Sequence, residues 1–509
     1  MEMVSLESLI GQENQVRLID AFVEKLELER VGFLINTIKD QGRPSYDSRM
    51  FLKIYFYGYL NGLRSSRRLE QECARNIEMQ WLTGKLVPNY HTICDFRKVN
   101  PDALRSTFRL FVSFLKDADL ITGVLVAMDG TKVRAHNSKK NNYNAKKIER
   151  HLTYIKEKTD DYLKALDEQD IQEQPEKVQA IKEKINRLKE NKIKYNALDA
   201  LLKVTNQVQV STTDPDSRAM LVQGQVVEIC YNVQAAVDAK HNLVIATHTI
   251  NSNDRNAMGN IALEAKENLN QEEGFTALLD KGYHNGRELD RCMKAGITTI
   301  CAQQEIVNSN NKGTTEAYLV TKFKYNNKTD SYTCPQGQEL HTRGTWHKKS
   351  RERDSHLYKK YRTPACKTCP VVHLCTAKAD GRRELERSEY AGAVEANRER
   401  YKNNKELYRK RQEINEHIFG TIKRKWGYYY TNLKGLKKVN GEFALIMTVY
   451  NFKRVVNILG FKDFLDKIKN WKPDYSRIVL TFFKMLFERT ILRQSLLEVR
   501  YLSPNLNIS

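Results

Sequence analysis

Gly123-Val124-Leu125-Val126-Ala127-Met128-Asp129-Gly130 decides how the fold is read. A short, unbroken apolar run that stops at an acid and a glycine has the pattern of a buried strand. Upstream, from residue 5 to about 120, the period is helical, with Phe51, Ile54, Tyr55 and Tyr59, then Leu104, Phe108, Phe111 and Leu115, spaced three and four apart. Downstream, strand-like runs recur at 229–237, 243–249, 275–279 and 297–300, with a helical segment at 262–269. This order predicts an all-α N-terminal domain (1–120), a mixed α/β domain (121–460) and a helical C-terminal tail (461–509).

Two segments interrupt the α/β domain. Over 144–204, Ile148, Leu152, Ile155, Tyr162 and Leu166, then Val178, Ile181, Ile185, Leu188, Tyr195 and Leu202, fall on heptad-like spacings with a break at 167–175. That predicts an antiparallel helical hairpin with arms about 38 Å long at 1.5 Å per residue. It could serve as a self-packed arm, or as a dimerisation or DNA-clamping one. The second insertion, 307–393, is polar and carries Cys334, Cys366, Cys369 and Cys375, four of the nine cysteines. One CxxC and two further thiols can close a structural Zn²⁺ site, with His341, His347 and His373 as substitute ligands. An iron-sulfur cluster and free thiols are the other readings. Cys73, Cys94, Cys230, Cys292 and Cys301 lie in apolar-periodic segments and read as core.

Composition narrows the class. The 509 residues hold 84 Lys and Arg against 62 Asp and Glu, a net charge of +22, with 40% apolar residues. A disordered chain and a disulfide-stapled miniprotein are both excluded, and a polyanionic partner is expected. The acidic start, and Lys484 within the apolar stretch 478–487, point to a cytoplasmic protein without a membrane span. In the helical region Arg67, Arg68 and Arg97 stand beside short helices with cap-type starts, as in a helix-turn-helix DNA reader, or equally as a solvated basic face.

The chemistry points to acids. Asp129 closes one apolar run and precedes Gly130, and Asp280 closes another and precedes Lys281-Gly282. Carboxylates at the carboxyl ends of strands sit where ligands of α/β sheets bind, and a following glycine admits close approach. Each alone is also an ordinary turn residue or helix cap; the matched pair points to metal binding. Two divalent cations bridging a scissile phosphate need further oxygen ligands from another segment. Residues 398–425 hold ten Lys and Arg against four acids, and there Glu413 and Glu416 compete on residue pattern alone. Phosphate contacts are expected from Lys132, Arg134, Lys281, Arg409, Lys423, Arg424 and Lys425. Trp426, Tyr428, Tyr429 and Tyr430 could stack on a base or pack inside, while Asp214, Asp216, Asp238 and Asp254 read as turns.

Taken in order, Met128-Asp129-Gly130-Thr131-Lys132-Val133, Asp214 to Arg218, Tyr231 to Asp238, Asp280-Lys281-Gly282-Tyr283 and Asn415-Glu416-His417-Ile418-Phe419-Gly420-Thr421-Ile422-Lys423 resemble the DDE transposases of bacterial insertion sequences. The N-terminal region with His91-Thr92-Ile93 and Phe96-Arg97 is similar to the domain that commonly precedes their catalytic core. The resemblance implies an RNase H-like catalytic domain. It also implies a triad of Asp129, Asp280 and Glu416 holding two Mg²⁺ (or Mn²⁺), with Glu416 chosen over Glu413 because Lys423 comes seven positions later. Tyr408 and Arg411 stand one position out of register with the related pattern. The partners implied are terminal inverted repeats, target DNA and a second copy of the chain, in a nucleoid-associated setting. Two rivals remain: a nuclease of the same fold without strand transfer, and a domesticated or inactivated DNA-binding protein.

Overall fold

The computed structural model describes residues 5–33, 46–167, 175–222, 224–303, 314–350 and 355–476. The chain divides into two compact units. One comprises 1–254, 264–272 and 412–509, the other 255–263 and 273–411.

In the first unit, helices α1 Leu6–Leu9, α2 Gln15–Glu24, α3 Leu28–Val31, α4 Ser48–Leu60, α5 Ser66–Arg75, α6 Ile77–Thr83, α7 Tyr90–Val99 and α8 Pro101–Asp117 bear out the helical start. Asn14, Asp47, Asn76 and Asn89 cap four of them by accepting backbone N–H groups. The apolar stripes of α4 and α8 bury Phe56 and Phe111 around Phe22 and Phe452.

Strand β1, Leu125–Arg134, runs beyond the apolar stretch that foretells it. It pairs antiparallel with β5, Val226–Asp238, which also pairs with β4, Arg218–Val222, and β6, Leu243–Ile250. Asp129 therefore lies mid-strand, opposite Ala235, and not at a strand end as its sequence suggests. The 13-residue β5 supplies backbone partners out to Arg134, so the ladder continues after the apolar residues stop. β2, Asn142–Asn144, and β3, Gln209–Ser211, pair as a two-stranded ladder. Between them run α9, Ala145–Asp167, and α10, Pro175–Thr205. Ile148 and Leu152 from the start of α9 meet Tyr195, Leu198 and Leu202 from the end of α10, the antiparallel hairpin expected. His151 stacks on Tyr195 with ring centroids 4.6 Å apart.

The second unit holds the first half of α11, Met258–Leu269, then β7, Thr276–Leu279, and α12, Gly286–Lys294, followed by β8, Thr298–Cys301, parallel to β7. Its Cys-rich insertion forms a sheet of β9 Lys324–Asn326, β10 Ser331–Thr333, β11 Glu339–Thr342, β12 His347–Lys349, β13 His356–Arg362 and β14 Leu385–Ser388. One face of that sheet buries Phe323, Tyr332, Leu340, Tyr361 and Leu385, with Cys334 and Cys375 packed against them. The one-turn α13, Val372–Cys375, precedes β14, and α14, Ala391–Asn403, leads into α15, Lys405–Phe419.

Back in the first unit, the last helix, α16, Leu436–Asn470, kinks at Gly460, which has φ 74°. Buried Asn451 accepts the N–H of Val244 at 2.8 Å and donates to its carbonyl at 2.7 Å, joining α16 to β6. The stretch 477–509, most of the expected tail, lies outside the described residues.

Candidate active site

Alternation along β1 puts Asp129, Thr131 and Val133 on one face, Gly130 and Lys132 on the other. On the first face, Asp129 is half-buried and accepts the Gly130 N–H at 2.8 Å. The ammonium of Lys423 donates to Thr131 Oγ1 at 3.1 Å and to the Lys132 carbonyl at 3.0 Å. Burial holds that ammonium below its ordinary range, with Lys132 and Arg424 adding in the same direction. Lys423 sits in a π-helical turn, Gly420–Lys425, that directly continues α15. Such wide turns rotate the succeeding residues relative to an α-helix and recur at functional sites. Glu416, exposed on α15, accepts a hydrogen bond from Gln412 at 2.8 Å; Glu413, one turn earlier, is exposed as well. Gly420 faces open space.

On the opposite face of β1 lies an arrangement built on Asp254, whose sequence neighbours predict only a turn. Asp254 accepts from Lys132 at 3.0 Å, from the Asn232 amide at 2.7 Å and from the Gln234 amide at 2.9 Å. Burial pushes this carboxyl up, but the Lys132 ammonium and the two amides outweigh it and hold it below the usual carboxylate range. A Cβ at Gly130 would stand 2.6 Å from Asp254 Oδ1 and 2.8 Å from Asn232 Oδ1, so only glycine lets the cluster close over the strand. The signal was present in the sequence: Asn232 and Gln234 are polar residues at alternate positions of an otherwise apolar strand, opposite Lys132 and Gly130 in register. Asp214, Asp216 and Asp238 also do more than turn the chain. Asp214 and Asp216 accept the N–H groups of Gly435 and Leu436 at the start of α16, and Asp238 accepts those of Thr122 and Gly123.

In the second unit, Asp280 ends β7 as expected and starts the 3₁₀ turn Lys281–Tyr283. The Arg411 guanidinium, on α15, stands 3.9 Å from its carboxylate. Arg411 is thus engaged with an acid at the place where the related pattern is one position out of register. Buried Cys301 donates its thiol to the Asp280 carbonyl at 3.2 Å, and burial pushes that thiol up. Burial lowers His284, with Arg398 adding to the effect.

The expected phosphate contacts separate by burial. Arg67, Arg68, Arg134, Lys281, Arg409, Arg424 and Lys425 are exposed. Lys132 and Lys423 are spent within the molecule, on Asp254 and on β1. Arg97, read as DNA-facing, is a correction: it is 3% exposed, donates to Tyr59 and stands 3.7 Å from Glu442, because α7 turns it into the core. Arg64 joins the same carboxylate at 3.3 Å, and the N–H groups of Asn432 and Leu433 complete its shell at 3.1–3.2 Å. Tyr428 is buried beside Arg64, whereas Tyr429 and Tyr430 are exposed.

Cys334, Cys366, Cys369 and Cys375 are free thiols that line one cavity of about 30 Å³, room for a single water-sized body. The Gln338 N–H points at Cys334 Sγ at 3.3 Å. Burial raises the Cys375 thiol; Arg383 opposes the rise and the other three cysteines add to it. Among the described residues no three His, Cys, Asp or Glu side chains stand as a metal-holding group.

Residues 4–99 match the family described as Transposase domain (DUF772), and residues 333–456 match Transposase DDE domain. These two matches support a DDE transposase of insertion-sequence type. The second match spans Glu416 and Lys423; Asp129 and Asp280 lie outside both matches. No curated protein and no solved structure matches the chain. The two domains indicate a DNA transposase, and among the described residues no helix is long and apolar enough to cross a membrane.

Proposed function

We propose that this transposase cuts DNA at the ends of its own element and joins the freed 3′ ends to target DNA, using Asp129, Asp280 and Glu416 in an RNase H-like domain. The observation that carries the reading is the Lys423 link: seven residues after Glu416, it is hydrogen-bonded to Thr131, on the face of β1 that carries Asp129. The antiparallel β1, β5 and β6, followed by α11 and the β7 that ends at Asp280, support the same domain.

Carboxylate oxygens are the donors that hard divalent cations take, so the donor chemistry fits. Two Mg²⁺ or Mn²⁺ ions held by the three acids would acidify the attacking water or 3′-OH and stabilise the leaving oxygen. The chain does the rest. Arg411 sets the Asp280 carboxylate, Lys423 fixes the Glu416 helix to β1, and exposed Arg134, Lys281, Arg409, Arg424 and Lys425 hold phosphates. Exposed Arg67 and Arg68 extend the DNA contact to the N-terminal domain, and a second copy of the chain pairs the two element ends.

The test uses purified protein and labelled DNA flanking its own gene, with Mg²⁺ or EDTA, beside Glu416→Gln and Asp129→Ala. Cutting should require the metal and fall at least about 100-fold in either variant while DNA binding stays. Normal cutting by Asp129→Ala would overturn the triad, and cutting without strand transfer would make the chain a nuclease.

The four-thiol cavity completes the proposal with a structural Zn²⁺. Thiolates are its preferred ligands, and all four cysteines line the one cavity. Protein purified without chelator should carry about one zinc per chain, and Cys366→Ser with Cys369→Ser should release it. Metal-free wild-type protein with an equally stable insertion would leave the cysteines as free thiols.

A further inference from the structure

The outer side of the inserted sheet carries a groove of about 610 Å³ whose lining includes Arg343, Lys360, Arg362, Lys367 and Arg382 and no Asp or Glu. The strand pattern produces it. On β13, Tyr361 points into the buried cluster, so Lys360 and Arg362 on either side of it point out. In register beside Arg362 lies His341 on β11, and the turn from β11 to β12 brings Arg343 to the rim. Thr342, Thr345 and Thr363 place hydroxyls between the cations.

Few of these charges are consumed locally. Glu384 serves both Arg362 and Lys360, the latter at 3.2 Å, and Asp380 stands 3.8 Å from Arg382. No carboxylate among the described residues pairs with exposed Arg343 or Lys367. Five cations against two nearby acids leave an electropositive trough. Its lining is too polar for an apolar ligand, and forked guanidiniums with interspersed hydroxyls suit phosphate oxygens.

We propose that this groove is a second DNA-contact surface, binding the phosphate backbone of duplex DNA through the inserted sheet. The proposal rests on the transposase reading for its choice of polyanion. It gives the insertion a role separate from the carboxylates: contact without sequence readout, which adds affinity and salt dependence.

The experiment measures binding of the full chain to a labelled duplex of about 30 base pairs from its gene's flanks, and to an unrelated duplex, across a salt series. Removing Arg343 and Lys367 together, as Arg343→Ala with Lys367→Ala, should lower the slope of log affinity against log salt by about 2 on both duplexes. The charge-keeping pair Arg343→Lys with Lys367→Arg should restore it, which a folding defect would not. An unchanged slope overturns the groove and leaves the active-site reading untouched. Wild-type protein that binds neither duplex overturns both. A loss confined to a single-stranded RNA of equal length would assign the groove to RNA and overturn the proposal for DNA.

Discussion

Arg97 and Arg343 carry the same guanidinium in opposite circumstances. Arg97 is buried with Arg64 around Glu442, whereas Arg343 is exposed on a groove with no acid among the described residues to pair it. One charge is consumed in joining helices α4 to α7 and the last helix; the other is available to a ligand. The contrast teaches that the 84 Lys and Arg overstate the cations the chain can offer to DNA, since some of them neutralise acids inside.

The comparison breaks most sharply at Glu442. Replacing it by Gln strands two buried guanidiniums, and chemical denaturation should show a loss of about 3–5 kcal/mol. Arg97→Ala belongs with this class. Arg67→Ala, on an exposed side chain, should stay within about 0.5 kcal/mol of wild type while weakening DNA binding. Equal stability of the Arg97 and Arg67 variants would sink the distinction between spent and available charge.

Acid sharpens the same contrast with a smaller effect. Burial pushes Glu264 up, but His248, Arg105 and Arg109 outweigh it and bring its carboxyl down to about 2. Because the folded value lies below the unfolded one, the contribution is complete above about pH 4.5 and fades as pH falls towards 2. It amounts to on the order of 3 kcal/mol, and Asp254, also lowered, acts in the same direction. Glu264→Gln should flatten the acid limb of a stability-against-pH profile; an unaltered limb would show that these arginines do not depend on it.

The sequence showed the helical start, the strand runs and the hairpin because each rests on a local period. Tertiary partners decided the rest. Asp129 became mid-strand only because β5 is long enough to carry β1 onward, and Arg97 turned inward only because Glu442, far along the chain, waits there. Asp254 looked like a turn because its ligands Lys132, Asn232 and Gln234 come from two other strands. Asp280 was legible because the strand it ends is short and wholly apolar at its close.

The little ladder of Asn142–Asn144 with Gln209–Ser211 closes the base of the helical hairpin and brings its two roots side by side. The hairpin is therefore an exchangeable cassette: it can be shortened, lengthened or swapped above that ladder without asking β1 or β4 to move, so its reach is free to change at little cost to the sheet they belong to.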